Sequence, residues 1–523
     1  MQISNKLFSA IVNIQSHVNI MCFSPGSYQN KMATCISVLI LYLCCTFISV
    51  DGTNPGIIIQ VTNKGLAYVD KVATGVFIDK LKTTTVKDIS GDTDTPLGHF
   101  DYDLSSIHCT AVSIATWSLR TVPGLGLSLS ASGVSVSFNG HWHYRKKHWP
   151  DVSDSGNFDM SIDSVSFTLK VKIGVDKGKP TISTSSCTDN IGDVNVKFHG
   201  GASWLYNLFR HKIGDSIKSQ LNPMLCEKAS KAINEDAKSA LATFPVRKQI
   251  DKYALIDYSL IQAPIFTESL VDISLKGEVM SASHPTESGL TPTEITTNQT
   301  CSKMICIYMT KYVANTAGQV YFQANFFKIN VTPSEVPPLF KYQLNTDLFK
   351  LIGLSQVYDK YPDRPLYLHL YCTQPPRLAI KSTGLYVAIS GNVEVLVLTK
   401  ESNFVFLFTL ATNITGNGVA QVNGTLLQGS VKNFDVKFAV FKSAVGDIKP
   451  QVGILNILLH LLAEKTIIKI LNEKGAKGLP LPVVDKVALE NPEIVLGENF
   501  ISFDTDLKYK GSLKVPATFP IVA

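Results

Sequence analysis

Positions 141–149 read His-Trp-His-Tyr-Arg-Lys-Lys-His-Trp, a concentrated mixture of cationic, titratable and aromatic side chains. His141 and His143 share a strand face and with His148 could approach a metal ion. No Cys, Asp or Glu completes a set at ligand spacing, so metal binding is not expected. Histidine takes up charge on acidification through about pH 6, so the segment is expected to become more cationic in an acidified compartment. On composition alone Arg145, Lys146 and Lys147 also fit a solvated, charged β-turn, and Asp151 and Asp154 follow immediately and offset them. Catalytic signatures are missing: there is no G-x-S-x-G nucleophile elbow, no H-E-x-x-H, no phosphate-binding G-x-x-x-x-G-K and no C-x-x-C. The pattern therefore points to binding rather than turnover.

The elements that must carry this segment are long alternating runs. Leu125, Leu127 and Leu129 are apolar on odd positions, and Val134, Val136 and Phe138 continue on even ones; Phe158, Met160 and Ile162 later give way to Val165, Phe167, Leu169 and Val171. A one-residue slip reverses the faces unless a bulge absorbs it, so these runs predict bulged, strongly curved sheet. An amphipathic helix carrying Leu66, Val69, Val72, Ala73, Val76, Phe77 and Leu81, and ending in Lys80 and Lys82, precedes them. A second helical stretch runs from Trp204 through Ile217, breaks at Pro223 and resumes to about Leu241, and an alternating strand is expected from Leu270 to Val279.

The same order recurs after a segment without apolar periodicity, 284–303, which reads as a linker. Helical residues are expected from Met304 to Val320, strands from Leu378 to Leu398 and Phe404 to Val440, and a helix from Val452 to Asn472. Closing strands should include Phe500, Ser502, Asp504 and Asp506. The reading is an extension and leader at 1–52, a first barrel at 53–283, the linker, and a second barrel at 304–523.

Bulk properties agree. A chain of 523 residues suits two large domains, and 45% hydrophobic against 17% charged residues fits a folded chain with much apolar surface to bury. Residues 53–283 carry 24 Lys and Arg against 23 Asp and Glu, so a broad basic face for nucleic acid is excluded and any anion affinity in the first half is local. Cys35–Val50, flanked by Lys31 and Gly52, reads as a secretory signal, too short for a membrane span of about 20 residues. Residues 1–31 read as an upstream extension. Secretion would leave Cys109, Cys187, Cys226, Cys301, Cys306 and Cys372 in an oxidising compartment, and Asn298, Asn330, Asn413 and Asn423 all stand in glycosylation sequons. None of these sequons lies in the first half.

Eight blocks in order now carry a resemblance: Asn54-Pro-Gly-Ile-Ile-Ile, Lys64-Gly-Leu-Ala-Tyr68, Val122-Pro-Gly-Leu-Gly-Leu127, Ser155-Gly-Asn-Phe-Asp-Met160, Gly178-Lys-Pro-Thr-Ile182, Ser185-Ser-Cys187, Leu225-Cys-Glu-Lys228 and Asn315-Thr-Ala-Gly318. From about 54 to 510 the chain resembles the bactericidal/permeability-increasing protein and lipopolysaccharide-binding protein family. That resemblance implies an α+β fold, an elongated two-domain boomerang in which each curved antiparallel barrel wraps a long helix and a central β-sheet joins them. It implies a phospholipid in an apolar pocket of each domain, no other cofactor, and one disulfide, here Cys187 with Cys226; Cys109, Cys301, Cys306 and Cys372 allow three pairings, and the resemblance settles none of them.

It also implies a lipopolysaccharide-binding tip on the first domain. The matching residues are Lys80, Lys82, Lys87, Trp142, Arg145, Lys146, Lys147, His148, Trp149 and Lys197. The cations would meet lipid A phosphates and the tryptophans the boundary between headgroups and chains. The expected protein is a secreted, monomeric binder of Gram-negative outer-membrane lipid, antibacterial and open to storage in granules. The alternative is a plasma or haemolymph phospholipid carrier. The prolines at 516 and 520 oppose the C-terminal helix of a cholesteryl ester carrier.

Overall fold

The computed structural model describes residues 54–510, apart from 84–87, 96–97, 147–151, 201–209, 222–223, 244, 296–300, 335–343, 454–455, 457–459, 461–462 and 484–486. The leader at 35–50, Lys87, Lys147, His148, Trp149, Asn298 and the tail at 514–523 lie outside the described residues.

The first half is built on three strands, Gly98–Val122, Gly126–Lys146 and Ser153–Asp176, of 25, 21 and 24 residues. Strands of that length survive only by coiling, because an extended sheet accumulates twist. Register shifts fall between Ser105 and His108, Ala131 and Val134, and Val134 and Val136, where Val134 faces Val165 and Val136 faces Ile162. Left-handed backbones at Ser106, Gly133 and Ser164 sit at these shifts, with φ of 55°, 60° and 58°. The face switches expected from the apolar pattern are therefore real bulges. Ile89–Thr95 and Lys179–Asn190 border the sheet, and Val194–His199 pairs with the outer part of Ser153–Asp176.

Helix Asn63–Thr83 starts where the Thr62 hydroxyl accepts from the Gly65 amide at 3.3 Å, an N-cap bond. It packs on the sheet through Leu66, Ile78 and a hydrogen bond from the Trp117 indole to Asp70 at 2.8 Å. The second helical stretch comprises Arg210–Leu221 and Met224–Lys231, then a π-helical turn Ala232–Ala237 and Lys238–Ala242.

The second half repeats the plan with Lys328–Val331, Leu366–Cys372, Gly384–Leu398, Phe404–Asn423 and Leu426–Ser443. A helix again follows, whose π-helical turn Glu464–Ile468 leads into Lys469–Lys477. Its core takes Leu366, Leu368, Leu370, Val393, Val395, Leu410 and Phe438.

Between the halves lies a six-stranded antiparallel sheet in the order Ile265–Phe266, Leu270–Leu275, Ile57–Thr62, Ile305–Thr310, Phe500–Tyr509 and Val487–Leu496. Here three expectations are corrected. Ile305–Thr310 is a strand, and the helix begins only at Lys311; all six strand residues are buried, and a short run buried on both faces lacks the alternation that would reveal it. The run from Leu270 to Val279 is two strands in two sheets, broken at Gly277 with φ +64°, where a Cβ would lie 2.7 Å from Ile57. Phe500–Tyr509 closes the central sheet, not the second barrel.

Two disulfides form among the described residues. Cys187–Cys226 ties strand Lys179–Asn190 to helix Met224–Lys231, with Cα atoms 5.6 Å apart. Cys301–Cys306, which the sequence left unassigned, pins the segment before the central strand Ile305–Thr310 at a Cα separation of 6.0 Å. Cys109 and Cys372 stand outside both disulfides.

Candidate functional site

The far end of the first barrel is organised by alternation. Tyr102, Leu104, Trp142, Tyr144, Phe158 and Phe198 point inward into one buried cluster. Trp142, expected at a lipid boundary, is among them: it is 3% exposed, stacks on Tyr144 at 5.9 Å, meets Phe198 edge-on at 5.8 Å and donates its indole N–H to the His199 carbonyl at 3.2 Å. Gly156, directly opposite, makes room for it; a Cβ there would lie 2.8 Å from the indole nitrogen.

The polar residues take the outer face, with Arg145 opposite Asp101, His143 opposite Asp103 and Lys197 opposite Asp159. His99 lies 2.9 Å from Asp94 and 3.7 Å from Asp92, His143 3.9 Å from Asp103, and His199 2.9 Å from Asp159; His141 hydrogen-bonds Asn157 at 2.7 Å. The Lys146 amide donates to the Val152 carbonyl at 2.9 Å. Arg145, Lys146 and Lys197 thus belong to one end of one sheet, interleaved with carboxylates. The described part of this tip is a mixed face, not a basic one. Lys80 and Lys82 occupy the last turn of helix Asn63–Thr83. The carboxylates escaped the sequence reading because Asp92, Asp101, Asp103 and Asp159 are distant in sequence and meet only through strand pairing.

A second site lies in the other half. A small apolar cleft of about 40 Å³ lies between the inner face of the second sheet and the helix that follows it, with Ile329, Leu370, Val393, Ile414, Ile470 and Leu471 among its walls. Cys372 and Thr412 also line it. Burial pushes the Cys372 thiol up to about 11, so it stays protonated. The alternation of Leu410, Thr412 and Ile414 could have pointed to Thr412 as a polar residue on an apolar face.

Of the sequon asparagines, Asn330, Asn413 and Asn423 are exposed on strands of the second half. Among the described residues no group of three metal-ligating side chains occurs, and no helix is long and apolar enough to cross a membrane.

Comparisons with known proteins follow this geometry. The N-terminal domain model of the LBP / BPI / CETP family matches residues 65–236, and its C-terminal domain model matches 248–509. A bactericidal permeability-increasing protein of Sebastes schlegelii is 29% identical over 479 residues, 90% of this chain and 100% of that protein. The human lipopolysaccharide-binding protein is 29% identical over 477 residues, covering 90% and 98%. A crystal structure of lipopolysaccharide binding protein superposes with a TM-score of 0.57 at 26% identity, over 88% of this chain and 100% of that one. With both of its domain models matched, over 65–236 and 248–509, the chain belongs to the LBP / BPI / CETP family.

Proposed function

We propose that this protein is a secreted, non-enzymatic binder of lipopolysaccharide that acts as a monomer at Gram-negative outer-membrane surfaces and holds phospholipid acyl chains in its apolar clefts. The observation that carries the reading is the small cleft beneath the helix of the second half, walled by aliphatic side chains. Each methylene buried against such walls contributes about 0.8 kcal/mol without any charge. The names of the relatives supply the lipopolysaccharide; Arg145, Lys146, Lys147 and Lys197, with Lys80, Lys82, Lys87, His148 and Trp149, are the proposed contacts to its phosphates and lipid boundary.

Because the described part of the tip carries carboxylates beside its cations, capture of lipid is proposed ahead of killing. The test measures lipid A binding and survival of Gram-negative cells for wild type and for the combined Arg145→Ala, Lys146→Ala, Lys147→Ala variant. The variant should lose about tenfold in lipid A affinity, consistent with lost charge-assisted contacts. Equal binding by both proteins would remove the tip from the mechanism. Exchange of phospholipid without any lipid A binding would make the protein a phospholipid carrier.

A further inference from the structure

The far ends of the two long sheets carry different outward faces. At the first, the outward pairs are polar, Arg145 with Asp101 and His143 with Asp103. At the second they are apolar: Tyr367 stands opposite Leu396 and Leu396 opposite Phe406, and the next row pairs Leu398 with Phe404. The alternate residues Leu366, Leu368, Val395 and Val397 fill the core, so these five side chains point outward, and each is at least partly exposed.

Two more residues extend the patch. Phe404 is 57% exposed although its ring meets Tyr367 edge-on at 4.9 Å. One strand further, pairing passes from Thr409 opposite Lys442 to Leu410 opposite Val440, which skips Phe441; this bulge leaves the Phe441 ring 69% exposed. Leu351, 83% exposed, ends the short helix Asp347–Leu351, rooted at the same end where the Thr346 amide bonds Arg364 and the Leu398 amide bonds Pro365. Single exposed apolar residues need no cause, but an outward set on adjoining rows marks a contact surface.

Charge selects the partner. Lys442 sits over the Phe406 ring at 5.4 Å, and Lys400 occupies the turn that leads into Phe404. Of the carboxylates beside them, Glu394 faces His369 at 3.7 Å and Glu401 accepts from the Thr399 hydroxyl. Aromatic rings rimmed by lysines match an anionic lipid surface, where rings settle among headgroups and each ammonium meets phosphate. A second copy docked face to face would set the same lysines against each other.

We infer that the far end of the second half is a membrane-docking surface, which seats Phe404, Phe441 and Leu351 in the headgroup layer of an anionic bilayer while Lys400 and Lys442 meet its phosphates. The inference is independent of lipopolysaccharide recognition, which is proposed for the first half.

The test sediments the full chain with vesicles of equal parts dioleoyl phosphatidylcholine and dioleoyl phosphatidylglycerol, free of lipopolysaccharide. Phe404→Ser combined with Phe441→Ser should weaken binding about tenfold and melt within a few degrees of wild type. Lys400→Gln combined with Lys442→Gln should weaken binding to the mixed vesicles about tenfold and leave binding to pure phosphatidylcholine unchanged. Phe441→Trp tests the location without removing apolar surface. The four native tryptophans all lie in the first half, so the emission gained over wild type reports on the patch; it should shift to the blue on vesicles and be quenched by lipids brominated along their chains. Equal vesicle binding by wild type and the double serine variant overturns the inference, as does emission from Phe441→Trp that vesicles leave unshifted and unquenched. Self-association of wild type that the serine variant loses, without vesicle binding, would make the patch a contact between copies and also overturn it.

Discussion

The indole of Trp142 reaches over Gly156 of the intervening strand to bond the carbonyl of His199, joining two strands that do not themselves pair. Trp142→Ala should therefore cost about 3–5 kcal/mol of stability, and Gly156→Ala should destabilise by pushing a methyl into the same space. Thermal unfolding checks both. A tryptophan that served the lipid boundary would behave the opposite way, losing lipid affinity with little change in melting.

Asp272 faces Gln60 in the central sheet. Burial raises its carboxyl above the usual range, against a lowering hydrogen bond from Gln60. Its folded value exceeds its unfolded one, so the penalty is absent in acid and appears as pH rises through that window. Asp272→Asn should melt above wild type at neutral pH, and the two should converge at about pH 4 and below. A pH series of melting curves decides it.

Asp251 behaves oppositely. Burial would raise it, but hydrogen bonds from Lys474, the Tyr253 amide and Tyr321 hold it below the usual range. Lys474 also sits over the rings of Tyr321, Phe326 and Tyr253 at 4.8, 5.1 and 5.9 Å. The stability this site contributes is present above the unfolded carboxyl value and is lost as pH falls through the lowered one. Lys474→Met should cost about 2 kcal/mol at neutral pH and flatten the acid limb of the stability profile.

The disulfides differ in span, 39 residues for Cys187–Cys226 and 5 for Cys301–Cys306. Chain entropy gives about 4 kcal/mol for the longer loop and about 2 kcal/mol for the shorter. Replacing both cysteines of each pair by Ala, with calorimetric unfolding of each variant, should rank the losses in that order.

Much of the barrel design was legible because coiled sheet writes itself into the apolar pattern: the odd-to-even switch from Leu129 to Val134 coincides with the bulge at Gly133. The central sheet was implied by the resemblance but not legible in the apolar pattern. Ile305–Thr310 is buried on both faces and carries no period, and its partners lie some 250 residues before it and 200 after. At the tip, sequence located the cations of one strand but not the carboxylates that strand pairing brings beside them. Trp142 was misjudged because alternation within 141–146 fixes which residues share a face, while which face is inward depends on Leu104, Phe158 and Phe198.

The central sheet also sets a schedule. Strand Ile57–Thr62 leaves the ribosome early, yet its neighbours are Leu270–Leu275 and Ile305–Thr310, and the sheet is finished only by Val487–Leu496 and Phe500–Tyr509. At about 5–20 residues per second the last strands trail the first by tens of seconds, during which a strand rich in isoleucine has open edges. Helix Asn63–Thr83 waits equally long for its anchors, the Lys64 contact with Asp506 at 2.8 Å and the Tyr68 hydroxyl that accepts from the Tyr509 amide. A stop codon a few dozen residues early would therefore remove the last strands of the seam and leave the edge of Ile305–Thr310 open.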